Sequence, residues 1–450
     1  MRATEVVICC VYLHQVCGLD WMASYMDGMK HQVSEFGLQQ FPEKSTDWSH
    51  DGRGFDCPDT SPSPEPPTTA DRVRPGDVKI VAALGDSLTA AIGANATNVL
   101  EIPTEFRQLS WSIGGYGNLS DTITLPNILK IFNPHLVGFG KSSTVSYRPA
   151  ALEDAGLNLA VTGANTLVIT NIRPQCTTHL FFLLTSPSVR SPSPHLLPEQ
   201  VRRLIAILKL LPEINFQEDW KVVTIFIGSN DLCDYCKDKV LFSADSFIQY
   251  MSEALDLLQA ELPRCFVNVV QLFRIDRLRQ VKDPRLGCIL QRFFCPCVVQ
   301  PKDDSLELLE LLEVNRQFQE RLRQLVQTSG RYDGKKDFAV VLQPFLQDIE
   351  PAVDQNGLID FSFFSPDCFH LTVKGHEQMA KGLWNNMLQR EGNKSHLRTF
   401  SEDLELLCPS QAQPYIYTKR TVNASAAPKV ATSSLLLIIL ICSVFIAFCT

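Results

Sequence analysis

VKIVAALGDSLTAAIGA, residues 78–94, is the stretch that decides the fold of this chain. Residues Val78 to Leu84 are mostly apolar and contain no proline or glycine, which predicts a buried parallel strand. The turn Gly85-Asp86-Ser87-Leu88 follows, and the small residues Thr89 to Ala94 can open a helix. A serine at such a turn exposes its hydroxyl where the helix N-terminus points N–H groups at developing charge. The stretch therefore predicts either a nucleophilic Ser87 or a tight turn capped by a serine.

Alternating strands and helices extend this pattern over the rest of the chain. Apolar runs predict strands at Val78–Leu84, Val222–Ile227, Phe266–Val270 and Phe338–Leu342. Helical periodicity marks Glu199–Leu211, Ser243–Leu262, Asp304–Val326 and Val373–Leu388, and Asp304 with Glu307 has the spacing of a capping box. This alternation predicts an α/β fold, a three-layer α/β/α sandwich with a mostly parallel central sheet.

Composition narrows the class of protein. The chain has 450 residues, 45% of them apolar, and a net charge of −8 without a dense run of Lys or Arg, which argues against a nucleic-acid partner. Ten of its 15 cysteines lie between Cys57 and Cys408. Asn-x-Ser/Thr sequons occur at Asn95, Asn118, Asn393 and Asn423. Together they predict an extracellular glycoprotein that uses disulfides.

Three further stretches carry candidate chemistry. The glycines of Trp111-Ser-Ile-Gly-Gly-Tyr-Gly-Asn118 could present an N–H to an oxyanion, or could form an ordinary turn. Asn230, in Ile227-Gly-Ser-Asn-Asp231, follows a predicted strand and would lie at the same sheet edge as Ser87. Asp367-Cys-Phe-His370 places an acid three residues from a histidine, so that Asp367 could orient His370 as the base for a serine. Alone, the Asn-Asp pair also suits a turn, and a single histidine is more often structural.

Two closely spaced cysteine pairs are ambiguous. Cys233-x-x-Cys236 and Cys295-Pro-Cys297 have spacings that a zinc site could use. The extracellular context favours disulfides instead, with pairing that the sequence leaves open. We therefore predict no metal and no cofactor.

The four motifs, in this order, resemble those of the GDSL or SGNH hydrolase family. The resemblance implies Ser87 as nucleophile, His370 as base and Asp367 as the group that orients it. It also implies an oxyanion hole made of the Ser87 N–H, the Gly115 N–H and the Asn230 amide, with Gly114 as the alternative glycine. Such a mechanism passes through an acyl-enzyme.

Within this family the chain is most similar to the phospholipase B group. The likeness is carried by stretches such as "GLNLAVTGA", "DFAVVLQPFLQ" and "CPSQAQPYIYT", and it covers most of residues 74–418. It implies calcium-independent hydrolysis of fatty-acyl esters of phospholipids and lysophospholipids at a membrane surface, extending to acylglycerols and retinyl esters. The alternatives are a secreted carbohydrate or acyl-glycan esterase and a catalytically silent adhesion protein on the same fold.

These interpretations divide the chain into five parts. We predict a signal peptide (1–18), a Pro/Ser-rich linker (19–76), the esterase domain (77–392, with an insertion at 169–195), a C-terminal extension and spacer (393–434) and a hydrophobic tail (435–450). The tail has the layout of a GPI-attachment signal, with a retained single span as the alternative. Either anchor would hold the protein at the extracellular face of the plasma membrane.

Overall fold

The computed structural model describes residues 55–146, 148–166 and 196–421. The predicted signal peptide (1–18), the insertion (169–195) and the tail (435–450) lie outside the described residues. None of the helices in the described ranges is both long enough and apolar enough to cross a bilayer.

A four-stranded parallel sheet forms the centre of the domain. Its strands are β1 (Val78–Gly85), β4 (Trp220–Phe226), β5 (Cys265–Val270) and β6 (Phe338–Gln343), in the order β1-β4-β5-β6. Every residue of β4, β5 and β6 is buried, which explains why the strands were visible as continuous apolar runs. A separate two-stranded antiparallel ribbon pairs β2 (Thr104–Glu105) with β3 (Thr144–Val145). All four predicted sheet strands are confirmed.

Helices flank the sheet, as the alternating pattern predicts. They are α1 (Ser87–Ala90), α2 (Leu125–Phe132), α3 (Leu152–Ala155), α4 (Leu197–Leu210), α5 (Ser229–Asp234), α6 (Ala244–Glu261), α7 (Leu286–Ile289), α8 (Gln291–Phe294), α9 (Pro296–Val299), α10 (Leu306–Arg323) and α11 (Val373–Met387). Phe247 of α6 stacks on Phe318 of α10 with ring centroids 4.3 Å apart. Trp384 of α11 packs on Phe132 of α2 at 5.4 Å. The apolar stripes of these helices are therefore buried against each other and the sheet.

The start of α10 differs from the sequence prediction by one residue. The N-cap is Ser305, whose Oγ accepts a hydrogen bond from the Leu308 N–H at 3.3 Å. Asp304 has φ +62°, a left-handed conformation that lies outside the helix. The predicted Asp304–Glu307 capping box is therefore wrong, because Asp304 lies one residue before the N-cap and Glu307 is already the second residue of the helix.

The stretches before and after the predicted esterase domain pack on it. Cys57 forms a disulfide with Cys408. The Pro67 carbonyl accepts a hydrogen bond of 2.8 Å from the Trp220 indole, at the first residue of β4. The structure thus differs from the predicted linker over residues 55–76. Proline-rich composition predicts extended backbone, but it does not reveal that the extended backbone docks on a distant strand.

Both flanking stretches meet the sheet at the edge where its strands begin. The Ala70 N–H donates to the Lys336 carbonyl at 2.9 Å, two residues before β6. From the other flank, the Arg420 guanidinium donates to the carbonyls of Lys336 and Phe338 at 3.2 and 3.1 Å. Ser87 and Asn230 follow the last residues of β1 and β4, so they lie at the opposite edge.

Candidate active site

Ser87 is the first residue of α1, directly after β1 and a sharp turn. Gly85 has φ +152°, and a Cβ on it would lie 2.2 Å from the Phe226 carbonyl oxygen, so the turn requires glycine. Asp86 caps α1 through its Oδ1, which accepts a hydrogen bond from the Leu88 N–H at 3.0 Å. The Ser87 N–H has no acceptor among the described residues. This turn leaves both the hydroxyl and the N–H of Ser87 available to a ligand.

Ser87, His370 and Asp367 form one hydrogen-bonded chain. His370 Nε2 lies 2.9 Å from Ser87 Oγ, and His370 Nδ1 lies 2.6 Å from Asp367 Oδ2. Asp367 Oδ1 accepts the backbone N–H groups of Phe369 and His370, each at 3.0 Å. The structure thus brings together the serine, base and acid that the sequence predicts, across 283 residues of chain.

The surroundings of Asp367 favour the ionised form of its carboxyl group. Burial would raise the pKa of its carboxyl, but the nearby His370 imidazole and the hydrogen bonds from His370 and Phe369 hold the pKa below its ordinary value. Asp367 is fully buried, so its charge acts on His370 without screening by solvent. The carboxylate can therefore fix the tautomer with Nδ1 protonated, which leaves Nε2 free to accept a proton from Ser87.

Asn230 lies in the first turn of α5, at the same sheet edge as Ser87. Its Nδ2 donates one hydrogen bond, of 2.8 Å, to the Ala164 carbonyl. A side-chain amide carries two hydrogens, and Asn230 lines the cavity that contains Ser87. The second hydrogen is therefore available to a group bound beside the serine.

Gly115 does not fit the oxyanion-hole role expected of it. Its N–H donates to the Gly140 carbonyl at 2.9 Å, and the N–H of the alternative, Gly114, donates to the Ser110 carbonyl at 2.7 Å. A Cβ on Gly115 would meet the Phe139 ring at 2.1 Å. The glycine pair thus allows two backbone segments to approach closely, which is the ordinary-turn alternative, and neither N–H remains available.

Gly163 is a candidate oxyanion-hole residue that the sequence motifs do not identify. The segment before it runs parallel to β1, where the Leu159 N–H donates to Ala83 at 3.0 Å and the Val161 N–H to Gly85 at 3.1 Å. Gly163 has φ +77°, and its N–H has no acceptor among the described residues. It also precedes Ala164, whose carbonyl anchors Asn230. The signal was present in "GLNLAVTGA", but the apolar run there is too short to be recognised as strand-like from periodicity.

A buried ion pair supports the backbone that leads to Gly163. The Arg107 guanidinium donates to Glu105 Oε2 at 2.7 Å, to the Asn158 carbonyl at 2.8 Å and to the Ala160 carbonyl at 3.0 Å. Glu105 Oε1 accepts the Thr162 hydroxyl at 2.6 Å. Both charged side chains are at most 5% exposed. The pair thus holds every second residue of this segment, namely Asn158, Ala160 and Thr162. Sequence patterns do not reveal this role.

The cavity beside Ser87 is lined mostly by apolar side chains. Its volume is about 790 Å³, including space open to solvent. Aromatic and aliphatic residues such as Phe273, Ile275, Leu346, Phe364 and Met379 form the walls, with Arg274, Arg277 and Glu350 among the polar residues. A long hydrocarbon chain is the kind of ligand group that such walls can desolvate.

Two buried carboxyl groups lie beside the triad without belonging to it. Burial raises the pKa of Asp86 to about 7 and the pKa of Asp231 to about 6. Asp231 accepts hydrogen bonds from the N–H and the hydroxyl of Thr166, whereas Asp86 Oδ2 has no partner among the described residues. Asp86 thus bonds the backbone of its own turn, whereas Asp231 bonds a residue 65 positions away in the chain.

The cysteines settle the question of zinc against disulfides. Cys233 pairs with Cys295 and Cys236 with Cys297, so the two predicted cysteine pairs cross-link α5 and its exit to α9. A fourth disulfide, Cys288–Cys368, joins α7 to the turn between Asp367 and His370. The disulfide prediction is confirmed. No group of three or more His, Cys, Asp or Glu side chains among the described residues is arranged to hold a metal ion.

Comparison with known proteins places this geometry in a family. The family model described as GDSL-like Lipase/Acylhydrolase matches residues 81–383. Three curated relatives carry the name "Phospholipase B1, membrane-associated". The Homo sapiens protein is 41% identical over 373 residues, 82% of this chain and 23% of the relative. The Rattus norvegicus protein is 40% identical over 378 residues (83% and 24%), and the Mus musculus protein 40% over 383 (83% and 23%).

The chain therefore spans about a quarter of the length of these relatives. The family match extends from within β1 to within α11, and it includes Ser87, Asn230, Asp367 and His370. On this match, the chain belongs to the GDSL-like lipase/acylhydrolase family of ester hydrolases.

Proposed function

We propose that the protein is a serine esterase that hydrolyses fatty-acyl esters of phospholipids and lysophospholipids. The observation that supports this proposal is that Ser87, which is hydrogen-bonded through His370 to Asp367, lines a mostly apolar cavity. The name of the relatives supports phospholipid as the substrate class, and acylglycerols and retinyl esters share the same acyl-ester chemistry.

The first half of the reaction forms an acyl-enzyme. Ser87 Oγ attacks the ester carbonyl carbon while His370 Nε2 takes the hydroxyl proton, and Asp367 stabilises the resulting imidazolium. The oxyanion is proposed to receive hydrogen bonds from the Ser87 N–H, the Asn230 amide and the Gly163 N–H, which replaces Gly115 in this role. Collapse of the tetrahedral intermediate breaks the carbon–oxygen bond, and the alcohol leaves with the proton from His370.

The second half restores the enzyme. A water molecule attacks the acyl carbonyl of Ser87 while His370 Nε2 takes one of its protons. The intermediate collapses, the fatty acid leaves, and Ser87 Oγ recovers the proton from His370. The chain's own side chains supply every proton transfer in this scheme.

The apolar lining favours this function over the two alternatives. A carbohydrate or acyl-glycan esterase would need many hydroxyl-binding side chains around the serine, whereas most of the wall residues here are apolar, with Arg274, Arg277 and Glu350 among the few polar ones. A silent adhesion protein would not need the 2.9 Å contact between His370 and Ser87. Both alternatives therefore lack an observation in their favour.

A covalent probe tests the nucleophile. We expect a fluorophosphonate to label the wild-type protein and not Ser87→Ala, because only the activated hydroxyl attacks the phosphorus centre. Ser252→Ala, on α6 and away from the cavity, is the matched control and should be labelled normally. Labelling of Ser87→Ala, or failure of the wild-type protein to release fatty acid from a defined diacyl phospholipid, would contradict the proposal.

We also propose that the protein works outside the cell. Four disulfides fit an oxidising compartment, and the described sequon residues Asn95, Asn118 and Asn393 are all exposed. Removal of N-linked glycans from the secreted protein should lower its apparent mass. The anchor at residues 435–450, GPI or single span, lies outside the described residues and stays a prediction.

A further inference from the structure

Residues 286–294, which we name the tethered segment, are fixed to the turn that carries the base. Cys288 is joined to Cys368 by a disulfide, and Gln291 Nε2 donates hydrogen bonds to the carbonyls of Cys368 and Val281. Cys368 lies between Asp367 and His370 in the chain. The tethered segment therefore occupies a fixed position next to the catalytic base.

The two short helices of this segment carry both buried and exposed apolar side chains. Leu290 is 6% exposed and belongs to a small core with Ile102, and the Phe294 ring lies 6.1 Å from the His370 ring. Their neighbours in the chain, Ile289 at the end of α7 and Phe293 in α8, are 46% and 68% exposed. Two large apolar side chains thus face outward beside the active site.

A second apolar edge lies near the cavity. Pro351 lines the cavity, and Val353, two residues later, is 43% exposed. Leu358, in the same loop, is 66% exposed, and a β-bridge joins Val353 to Ile359. Exposed apolar side chains therefore occur close in sequence to residues of the cavity and in the segment that is fixed to the turn carrying His370.

The charge of this region favours a phosphate-rich partner. Residues 274–294 contain six basic side chains, of which Arg274, Arg277, Arg279 and Arg285 form ion pairs with the carboxylates of Asp276, Asp283, Asp303 and Glu350. Lys282 and Arg292 are the exposed cations of this stretch that make no ion pair with a described residue. Arg292 lies next to Phe293 in the chain. An exposed arginine beside an exposed phenylalanine suits the boundary between lipid phosphates and acyl chains.

We propose that the tethered segment docks the enzyme on the surface of a phospholipid bilayer. Ile289 and Phe293 enter the interface and Arg292 contacts lipid phosphates, which brings the cavity to the source of its substrate. Phosphate in solution would not need the apolar side chains, and the positive charge next to them distinguishes this surface from the other exposed leucines. This inference rests on the proposed function, but binding of the segment to a bilayer can be measured in protein that does not hydrolyse lipid.

A tryptophan reporter tests the docking directly. In full-chain Ser87→Ala protein, which does not consume the lipid, Phe293→Trp should be quenched by phosphatidylcholine vesicles brominated on the acyl chains. Leu210→Trp is the matched control, because Leu210 is 81% exposed but ends α4, which leads into the start of β4 at the other edge of the sheet. Equal quenching of the two reporters, or no quenching of Phe293→Trp, would overturn the proposal.

Activity measurements separate this proposal from the proposed function. Ile289→Ser/Phe293→Ser should lower hydrolysis of vesicle phospholipid at least about tenfold and leave hydrolysis of a soluble short-chain ester unchanged. Leu210→Ser should affect neither. An equal loss on both substrates would mean that the segment only supports the active site, and would overturn the docking role. If the wild-type protein hydrolyses no ester, the proposed function fails, whereas the quenching result still decides the docking.

Arg292→Gln examines the charge. It should weaken binding to vesicles that contain anionic lipid by several-fold more than binding to pure phosphatidylcholine, and inorganic phosphate should not displace the protein. If Ile289→Ser/Phe293→Ser instead abolishes a concentration-dependent dimer of a protein that does not bind vesicles, the surface belongs to a second copy of the chain and the proposal is wrong.

Discussion

The two hydrogens of the Asn230 side-chain amide have different proposed roles, and the contribution of one of them to catalysis can be measured. One hydrogen is donated to Ala164, and the other is the proposed oxyanion donor. We expect Asn230→Ala to lower kcat by about two to three orders of magnitude, as loss of one such donor does in other hydrolases, with little change in KM. Steady-state kinetics on a soluble ester would measure both constants. An effect confined to KM would make Asn230 a substrate-binding residue instead.

Asp86 makes the stability of the folded protein depend on pH, and a single substitution can isolate this contribution. Burial, opposed by the Leu88 N–H and the nearby His370 and reinforced by Asp231, raises its pKa to about 7, far above the value of about 3.9 of an exposed aspartate. The folded state therefore holds a proton that the unfolded state releases. By linkage, the resulting stabilisation is complete below about pH 4 and is lost as the pH rises through about 7.

Asp86→Asn should remove this part of the pH dependence. Asparagine keeps the Oδ1 acceptor for the Leu88 N–H, so the cap of α1 is retained. Denaturant unfolding between pH 4 and pH 8 should show a smaller loss of stability with rising pH in the variant than in the wild type. Asp231, whose pKa is also raised, titrates in both proteins and leaves a residual slope. Identical slopes would show that Asp86 is ionised throughout this range.

At the scale of elements, the segment Asn158–Gly163 depends on the Arg107–Glu105 pair for its position. Arg107→Lys keeps the charge but cannot reproduce the forked contacts to Asn158, Ala160 and Glu105. We expect kcat to fall between about tenfold and a hundredfold with KM nearly unchanged, because the proposed Gly163 donor is displaced. Single-turnover labelling with a fluorophosphonate should slow in parallel.

Thr144→Val provides the control for this pair. The Thr144 hydroxyl contacts Arg107 Nε at 2.8 Å and Glu105 Oε2 at 2.7 Å, on β3 rather than on the segment that leads to Gly163. The variant should lose stability without the loss of kcat. If both variants lower kcat equally, the pair acts through general stability and does not position the segment.

The elements that the sequence predicted are those whose signal is local. β1, β4, β5 and β6 are buried on both faces, so each is a continuous apolar run that periodicity detects. Ser87, Asn230 and His370 were recognisable because each follows a strand or precedes a helix. Gly115 and Gly163 could not be told apart, because the availability of a backbone N–H depends on whether a distant carbonyl, such as that of Gly140, reaches it.

At the scale of the whole molecule, the Cys57–Cys408 disulfide closes almost the entire described chain into one loop, because its two cysteines are separated by 351 positions in the sequence. Cys57→Ser/Cys408→Ser should lower the free energy of unfolding by about 2–5 kcal/mol, the usual effect of removing such a bond. Hydrolysis of a soluble ester at low temperature should be retained, because neither cysteine lines the cavity. Denaturant unfolding with and without reductant would measure the difference, and reductant should affect the variant less than the wild type.

The docking of both flanks at the starting edge of the sheet has a practical consequence. Pro67 and Ala70 on one flank and Arg420 on the other contact residues at the beginnings of β4 and β6, whereas Ser87 follows the end of β1. A fusion partner or a solid support attached through either flank would therefore lie on the side of the domain that faces away from the cavity. Immobilised protein should keep its access to substrate, and a reporter fused at either flank should not obstruct it.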